Sequence, residues 1–358
     1  MDSRVEVTRP SLAPLGDYVE RLQTLWGSGV LTHNGPFVQE LELLISRYLS
    51  VPDTVAVTNG TTAIQVCLRA LGIRDCDVVT TPFSWQATCS AILAENCCPI
   101  FADVDEGTFN LDPARVEAAI TPQTRAILAV HVFSNPCDVD ALEEIARRYG
   151  LALIFDSAHA FGVDLGGKSI MRAGDASATS FHATKIFNTA EGGACFSESE
   201  AVTERMRQIR FFGFNNDRQV VADGINGKMT ELHAALGIVN LDLMTDVLSA
   251  RRHTYELYQQ LLSTRDDLRW QQIQPESYNF SYVPVIFESE RKVMSVQKSL
   301  DSHGIGSRRY FHPSLNTVMT SSTADLMPVA ERIASRILCL PSFLGISDEV
   351  IEKVCRLL

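Results

Sequence analysis

The chain has 358 residues, of which 46% are hydrophobic and 21% are charged, and these proportions are ordinary for a globular protein. Its formal net charge of −12 argues against a broad nucleic-acid surface, because phosphate binding requires clustered lysine and arginine. Every apolar run is shorter than the roughly 18 residues of a membrane span, and the N-terminal stretch lacks the apolar segment of a signal peptide. We therefore expect a cytoplasmic protein with no membrane segment.

The nine cysteines are scattered along the chain, and none forms a C-x-x-C pair or has the Cys/His spacing of a metal site. Their pattern favours buried free thiols in a reducing compartment and predicts no metal. The length predicts one large domain and one smaller domain.

Short apolar runs alternate with amphipathic helical patterns in the first half of the chain. A strand at 54–58 precedes a helix at 62–72, a strand at 77–82 precedes a helix at 84–96, a strand at 125–133 precedes a helix at 138–150, and another strand follows at 151–156. This alternation is typical of a parallel α/β sheet that is covered on both faces. Ligands of such sheets bind at the carboxyl ends of the strands.

The pattern changes after residue 229, where residues 229–262 have helical apolar spacing and no strand follows for about 50 residues. Beyond this stretch the sequence predicts a strand at 278–287 and helices at 293–304 and 347–358. We expect a large domain over residues 1–240 and a smaller α/β domain over residues 241–358.

The segment GVDLGGKS, Gly162–Ser169, matches the G-x-x-x-x-G-K-[ST] pattern of a phosphate-binding P-loop. A P-loop leads directly from a strand into a helix, whereas this segment is followed by a turn and a strand. A hairpin turn at Gly-Gly is therefore the better interpretation, and nucleotide hydrolysis remains a weaker alternative. The chain also contains no G-x-G-x-x-G, which disfavours a nicotinamide dehydrogenase.

Two charged residues stand out against uncharged surroundings. Lys185 is the single charge in SFHATKIFNTA, and Asp156 ends the apolar strand LALIFD, where a parallel sheet delivers a side chain to its ligand site. Separately they are explained by a surface lysine and a helix cap. Together they fit pyridoxal phosphate, which needs an amine for its aldehyde and an acidic partner for its pyridine nitrogen.

The same cofactor needs donors for its phosphate and an aromatic ring to stack on. Gly60, Thr61 and Thr62 lie between a strand and a helix start, where free N–H groups and the helix dipole favour an anion. Trp85 follows the next strand and is a candidate for stacking.

The ordered segments NGTTA, TPFSWQAT, FDSAHA, SFHATK, EGGA and GINGKM resemble those of the DegT family of pyridoxal-phosphate sugar aminotransferases. Each segment is short, but six in the same order along nearly the whole chain are specific. The resemblance implies the fold type I architecture, in which a large domain with a mixed, mostly parallel sheet flanked by helices is joined to a smaller C-terminal α/β domain.

The resemblance also implies roles for individual residues. Lys185 would form the Schiff base with the cofactor and shuttle a proton, and Asp156 would pair with the pyridine nitrogen. The other implied cofactor contacts are His159 near the ring oxygen, Trp85 on the ring face, Thr61, Thr62 and Ser180 on the phosphate, and Asn226 on the phosphate bound by the neighbouring subunit. A homodimer with shared active sites follows from the role of Asn226.

Some positions depart from the common pattern of the family. Ser134 and Lys228 stand where glycine and arginine are frequent, and His33 stands where a second asparagine is common. His131 and His182 fit either the site or the core, and the segment RRYFHP at 308–313 is a candidate substrate-facing loop, since arginine is suited to pyrophosphate.

The resemblance implies transfer of an amino group, with L-glutamate as donor, to a nucleotide-linked keto-sugar. We expect a dTDP-4-keto-6-deoxyhexose aminated at C4, for amino-deoxysugar biosynthesis. A pyridoxal-phosphate sugar dehydratase and a C3 aminotransferase of the same family remain alternatives. Such dehydratases are marked by histidine at the position of Lys185, so the lysine counts against the first.

Overall fold

A computed structural model describes residues 4–274, 278–319 and 326–358. Within these ranges the chain forms twelve strands: β1 Val55–Val57, β2 Asp77–Thr80, β3 Cys98–Phe101, β4 Thr124–Val130, β5 Ala152–Asp156, β6 Asp164–Leu165, β7 Lys168–Ser169, β8 Ala176–Ser180, β9 Gly193–Phe196, β10 Leu268–Trp270, β11 Val283–Phe287 and β12 Ile337–Leu340.

The same ranges contain twelve α-helices. They are α1 Leu15–Ser28, α2 Pro36–Leu49, α3 Gly60–Ala70, α4 Gln86–Ala94, α5 Pro113–Ala119, α6 Val139–Tyr149, α7 Glu200–Arg210, α8 Glu231–Leu241, α9 Met244–Leu261, α10 Glu290–Ser302, α11 Pro328–Arg336 and α12 Asp348–Leu357.

Seven strands form the large sheet in the order β1-β9-β8-β5-β4-β2-β3. Strands β2, β3, β4, β5 and β8 run parallel to one another, whereas β9 is antiparallel to both β8 and β1. The sheet is therefore mixed and mostly parallel, which confirms the predicted fold class.

Both faces of the large sheet are buried, because alternate residues of its central strands point into different apolar cores. In β4, Ile127 and Ala129 belong to one core, and Ala126 and Leu128 belong to the other. A strand that is covered on both sides needs apolar residues at every position, and this explains the continuous apolar runs of the sequence.

Helix α6 shows how local sequence fixes the elements between the strands. The Asp138 side chain accepts a hydrogen bond from the Ala141 N–H at the N-terminus of α6. The helix ends at Gly150, which adopts the left-handed conformation with φ of 63°. The predicted helix at 138–150 is thereby confirmed, including both of its ends.

The P-loop-like segment forms a hairpin. Strands β6 and β7 pair Asp164 with Ser169 and Leu165 with Lys168, and the two-residue turn between them consists of Gly166 and Gly167. Both glycines have positive φ, as a tight hairpin turn of this length requires. The structure confirms the hairpin interpretation, and Lys168 lies in a strand rather than at the start of a helix.

The smaller sheet is antiparallel, has the order β10-β11-β12 and is accompanied by α10, α11 and α12. Strand β10 departs from the prediction of about 50 residues without a strand. It has three residues, of which Arg269 is exposed, so its strand conformation depends on pairing with β11 and not on an apolar pattern.

The predicted helical stretch at 229–262 consists of α8 and α9, which are bent by 65° relative to each other. Helix α8 packs on α2 of the large domain, and α9 packs on α12 of the small one. We propose this bend as the domain boundary, in line with the expected limits of 1–240 and 241–358. The chain start differs from that division, because Val5 pairs with Ile305 of the small domain.

Candidate active site

The carboxyl ends of β5 and β8 lie side by side and carry two of the predicted residues. Asp156 ends β5 and lies opposite Ala178 of the parallel strand β8, which ends at Ser180. Helix α3 begins at Gly60 beside this edge, since a Cβ at Gly60 would lie 2.7 Å from Ser180 Cβ. The fold therefore brings the strand ends and a helix N-terminus to one place.

A cavity of about 270 Å³ opens at this edge. Six predicted residues from four separate segments of the chain line it, namely Thr61, Trp85, Asp156, His159, Ser180 and Lys185. Groups that are far apart in the sequence thus converge on one pocket, which no local structural role explains.

Lys185 lies in the loop between β8 and β9. Its backbone N–H donates to the carbonyl of His182 at 2.8 Å, and the buried side chains of Phe181, Ile186 and Phe187 flank it. Burial lowers the pKa of the Lys185 amine to about 8, against the opposing pull of the Asp156 carboxylate. The uncharged run therefore yields an amine that loses its proton readily.

Asp156 is buried and has hydrogen-bond donors at both of its oxygens. Oδ2 accepts from Thr88 Oγ1 at 2.8 Å, and Oδ1 accepts from the Ala158 N–H at 3.1 Å. Burial raises the pKa of the Asp156 carboxyl, whereas both hydrogen bonds and the charge of Lys185 favour the ionised form. A positive partner in the pocket would shift the balance further towards the carboxylate.

His159 is buried between aromatic rings. It stacks on Phe311 at 5.8 Å and on Phe133 at 6.1 Å, and its Nδ1 accepts from the Phe133 N–H at 3.3 Å. Burial and the nearby charge of Lys185 hold the pKa of His159 well below its usual range. A neutral ring that accepts at Nδ1 carries its proton at Nε2, so His159 is a hydrogen-bond donor through Nε2.

The start of α3 provides donors for an anion. Helix geometry leaves the first N–H groups without intrahelical partners, but the Asn59 side chain accepts from the Thr62 N–H at 2.9 Å. Gly60 and Thr61 line the cavity, whereas Thr62 is absent from its lining in the described chain. The N–H groups of Gly60 and Thr61, with the Ser180 hydroxyl, are therefore the hydrogen-bond donors available at this end of the cavity.

Aromatic side chains and one arginine surround the pocket entrance. Trp85 is 59% exposed and lies edge to face with Tyr310, with 6.3 Å between the ring centroids. Arg308 from the small domain also lines the cavity and donates from Nη1 to the Tyr310 hydroxyl at 3.2 Å. Part of the RRYFHP segment thus faces the pocket.

Asn226 does not line the cavity of its own chain. Its side chain accepts a hydrogen bond from Lys228, whose amine also lies 4.1 Å from the centroid of the Phe212 ring. The Lys228 amine also lies 5.0 Å from the centroid of the Phe211 ring, and the His33 ring is 5.7 Å from that of Phe211. The residue after Asn226, Gly227, lies beside the start of α3, since its carbonyl accepts from the Thr58 N–H at 2.9 Å.

The two ambiguous histidines have different environments. His131 is completely buried, accepts from the Cys137 N–H at 3.0 Å and stacks on Phe155 at 4.6 Å, so it is a core residue. His182 is exposed, lines the cavity and lies 2.8 Å from Thr184 Oγ1. His131 is therefore a core residue, whereas His182 is not.

Sequence reasoning missed Ser84, Thr88 and Tyr282. Ser84 and Tyr282 line the cavity, and Thr88 donates to Asp156. The spacing of Ser84 and Thr88, four residues apart around a predicted helix start, was the available signal. For Tyr282 the sequence carries none, because its position depends on the contact between the two domains.

No cluster of three or more potential metal ligands occurs within residues 4–274, 278–319 and 326–358. In the same part of the chain no single helix is long and apolar enough to cross a membrane. The bent pair α8 and α9 reaches the required length and apolar composition only when its two helices are taken together. None of the nine cysteines, all of which lie in the described ranges, forms a disulfide bond.

The chain matches the model of the DegT/DnrJ/EryC1/StrS aminotransferase family over residues 16–358 and belongs to this family. It is therefore an aminotransferase, and its architecture is that of fold type I.

Three relatives illustrate the similarity. The dTDP-4-amino-4,6-dideoxy-D-glucose transaminase of Shigella dysenteriae is 36% identical over 99% of this chain and 98% of its own length. The GDP-perosamine synthase of Caulobacter vibrioides is 33% identical over 98% of this chain and 96% of its own. The structure of DesI, solved in the presence of its TDP-sugar product, is 33% identical, covers 100% of this chain and 92% of its own, and superimposes with a TM-score of 0.94.

Proposed function

We propose that this aminotransferase uses pyridoxal phosphate to transfer an amino group from L-glutamate to C4 of a dTDP-linked 4-keto-6-deoxyhexose. The observation that carries the proposal is the convergence of Lys185 and Asp156 on one buried pocket at the carboxyl edge of the sheet. The Shigella relative, whose name gives a dTDP-linked 4-amino sugar, supports the choice of sugar and carbon.

The residues of the pocket fit the cofactor. Lys185 offers an amine of lowered pKa, and Asp156 offers a buried carboxylate for the ring nitrogen. The N–H groups at the start of α3 and the Ser180 hydroxyl suit the phosphate, and the close approach of Gly60 to Ser180 keeps that end free of a side chain. When bound, pyridoxal phosphate supplies a carbonyl that exchanges amino groups and a ring that accepts electrons.

Each residue then has a defined task. Lys185 Nζ takes the proton from the Cα of the amino donor, and its lowered pKa lets it act near neutral pH. Asp156 holds a proton on the ring nitrogen through a charge-assisted hydrogen bond. His159 would donate from Nε2 to the ring oxygen, and its contacts with the rings of Phe133 and Phe311 fix its orientation.

Arg308 supports an amino-acid donor. Besides the histidines His159 and His182, the described lining of the pocket contains two basic side chains, Lys185 and Arg308, and Lys185 is committed to proton transfer. An α-carboxylate therefore pairs best with the Arg308 guanidinium, which can bind it through two parallel hydrogen bonds. A sugar diphosphate, bound in the other half of the reaction, carries negative charge suited to the same arginine.

The nucleotide distinguishes the two kinds of curated relative, since one name gives a dTDP-sugar and the other a GDP-sugar. We expect the protein with pyridoxal phosphate and L-glutamate to aminate a dTDP-4-keto-6-deoxyhexose, with the product detected by mass spectrometry. The GDP-linked 4-keto sugar and a dTDP-linked 3-keto sugar are the matched controls. Faster turnover of either control would overturn the nucleotide or the carbon that we propose.

The alternatives have less support. A dehydratase of this family carries histidine where this chain has Lys185, and the P-loop hydrolase loses its basis because Gly162–Ser169 forms a hairpin. The C3 aminotransferase differs from the proposal in one reactant, and the 3-keto sugar control tests it directly.

We also propose a homodimer in which Asn226 of one chain reaches the phosphate bound by the other. The absence of Asn226 from the described lining of its own pocket supports this role, and α1 exposes Leu15 and Trp26, each 74% accessible, on a surface suited to a partner. The free thiols support a reducing compartment, and we place the reaction in the cytoplasm.

Mixing two damaged chains tests the dimer. Lys185→Ala chains and Asn226→Ala chains are each expected to be inactive, whereas a mixed dimer contains one site with both residues intact. Activity above that of either parent after subunit exchange, verified by native mass spectrometry of tagged chains, supports the shared site. Verified mixed dimers with no more activity than the parents would show that each site is complete within one chain.

A further inference from the structure

Asp156 is not held by the backbone alone, because a buried hydroxyl pair stands behind it. Thr88 Oγ1 donates to Asp156 Oδ2 at 2.8 Å, and the Ser84 and Thr88 hydroxyl oxygens are 2.8 Å apart. Thr88 is completely buried and Ser84 is 3% exposed. Water therefore does not replace either hydroxyl as a partner.

The direction of the hydrogen bonds follows from their chemistry. An ionised carboxylate only accepts, so the single proton of the Thr88 hydroxyl points to Asp156. The Thr88 oxygen must then accept from the Ser84 hydroxyl, which gives a chain from Ser84 through Thr88 to Asp156. Hydrogen bonds arranged in series in this way polarise one another and strengthen the last one.

The two hydroxyls also flank the predicted stacking residue. Ser84 precedes Trp85, which is the N-cap of α4, and the Thr88 N–H donates to the Trp85 carbonyl at 3.2 Å. One turn of helix therefore fixes both the aromatic side chain at the pocket entrance and the donor to the carboxylate at its base.

We propose that Thr88, oriented by Ser84, is a positioning residue for the reaction. Its hydrogen bond to Oδ2 fixes the orientation of the Asp156 carboxylate, so that the carboxylate would face the ring nitrogen of the cofactor. This inference rests on the proposed function. Burial of Asp156 favours the neutral carboxyl, which is a poor partner for a protonated nitrogen, and the Thr88 hydroxyl opposes that effect.

Thr88→Val removes the hydroxyl at nearly constant volume and tests the proposal. A hydrogen bond to a charged group is worth enough to change affinity or rate roughly tenfold or more. We expect Thr88→Val to weaken pyridoxal phosphate binding to the cofactor-free protein, measured by tryptophan fluorescence, and to lower kcat of both half-reactions with the KM of the sugar unchanged. Thr88→Ser restores the hydroxyl and should recover most of both losses.

A matched pair elsewhere in the chain provides the control. Thr54 is also completely buried, and its hydroxyl lies 2.8 Å from that of Ser46. Thr54→Val should lower the melting temperature without changing cofactor affinity or kcat, whereas Thr88→Val changes all three. Ser84→Ala, which leaves Thr88 in place, should give a smaller loss of the same kind as Thr88→Val.

The outcomes separate this inference from the function on which it rests. If the wild-type protein binds the cofactor and transfers amino groups while Thr88→Val does so equally well, the positioning role is wrong and the function stands. A Thr88→Ser variant as defective as Thr88→Val would also overturn it. A wild-type protein that binds no pyridoxal phosphate would overturn both.

Discussion

Two cavities in the described part of the chain differ in size and in the state of their charged groups. The larger one, about 1030 Å³, lies beside the β6–β7 hairpin, and the pocket that contains Lys185 has about 270 Å³. In the larger cavity, Asp112 and Asp138 are helix N-caps that accept from backbone N–H groups, and Arg172 pairs with Glu198. Its polar groups therefore already have local structural roles.

The smaller pocket has the opposite character. Lys185 and Asp156 come from different strand ends and burial shifts the pKa of both, whereas no helix cap or surface ion pair explains their presence. Perturbed groups that converge without a structural reason are typical of active sites. In this protein, therefore, the state of the charged side chains identifies the site better than the volume of the cavity.

The largest expected effect is that of Lys185→Ala. In the proposed function this amine binds the cofactor covalently and moves the proton, and a general base alone contributes about 10²- to 10⁴-fold to a rate. We expect turnover of glutamate and keto-sugar to fall by at least that factor, measured by mass spectrometry of the amino-sugar product.

Lys168→Ala is the matched control, because Lys168 is exposed and lines the larger cavity. Its substitution should leave turnover within about twofold of the wild-type value, as expected for surface positions. A loss from Lys168→Ala comparable to that from Lys185→Ala would reverse the comparison and revive the P-loop interpretation.

Asp156→Asn should have the next largest effect. The amide keeps the shape but removes the charge, and a hydrogen bond to a charged group contributes about 1.5–3 kcal/mol, which corresponds to roughly 10- to 100-fold in rate. Both half-reactions, measured separately with glutamate and with keto-sugar, should slow together. A defect confined to one of them would identify Asp156 as a substrate contact instead.

Gly60→Ala tests the phosphate end of the pocket. The new Cβ would lie 2.7 Å from Ser180 Cβ, and overpacking of this kind costs about 1–3 kcal/mol. We expect lower thermal stability and weaker binding of pyridoxal phosphate, with a smaller loss in affinity for pyridoxal, which lacks the phosphate. Equal losses for the two ligands would place the phosphate elsewhere.

The pH dependence of cofactor capture should report the amine of Lys185. Only the neutral amine attacks an aldehyde, so the rate of capture by the cofactor-free protein should rise with pH, reach half of its maximum near the pKa of about 8 and level off above it. The Asp156 carboxylate raises that pKa, so the midpoint in Asp156→Asn should move to lower pH. A midpoint that stays at the ordinary lysine value in stopped-flow absorbance would contradict the burial of this amine.

Much of this architecture is visible in the sequence, because strand ends and helix starts carry local signals. Lys185, Asp156 and Thr61 each follow or begin an element with a clear apolar pattern. Thr62 shows the limit: whether its N–H is free depends on the rotamer of Asn59, which takes that donor.

Contacts between distant segments account for the rest. Tyr282 and Arg308 reach the pocket through the packing of the small domain on the large one, and Ser84 and Thr88 matter only because α4 turns them towards β5. Strand β10 is defined by its pairing with β11. None of these depends on a periodic pattern that a single sequence displays.

The central claim, that Lys185 is the amine that carries the reaction, is tested most directly by borohydride reduction of the protein with its cofactor. Borohydride reduces the imine that an aldehyde forms with a lysine amine to a stable secondary amine. Peptide mass spectrometry then identifies the modified lysine. We predict a pyridoxyl group on Lys185 and none on Lys168, and we predict that prior addition of L-glutamate removes the label from Lys185. A label on another lysine, or none at all, would contradict the account.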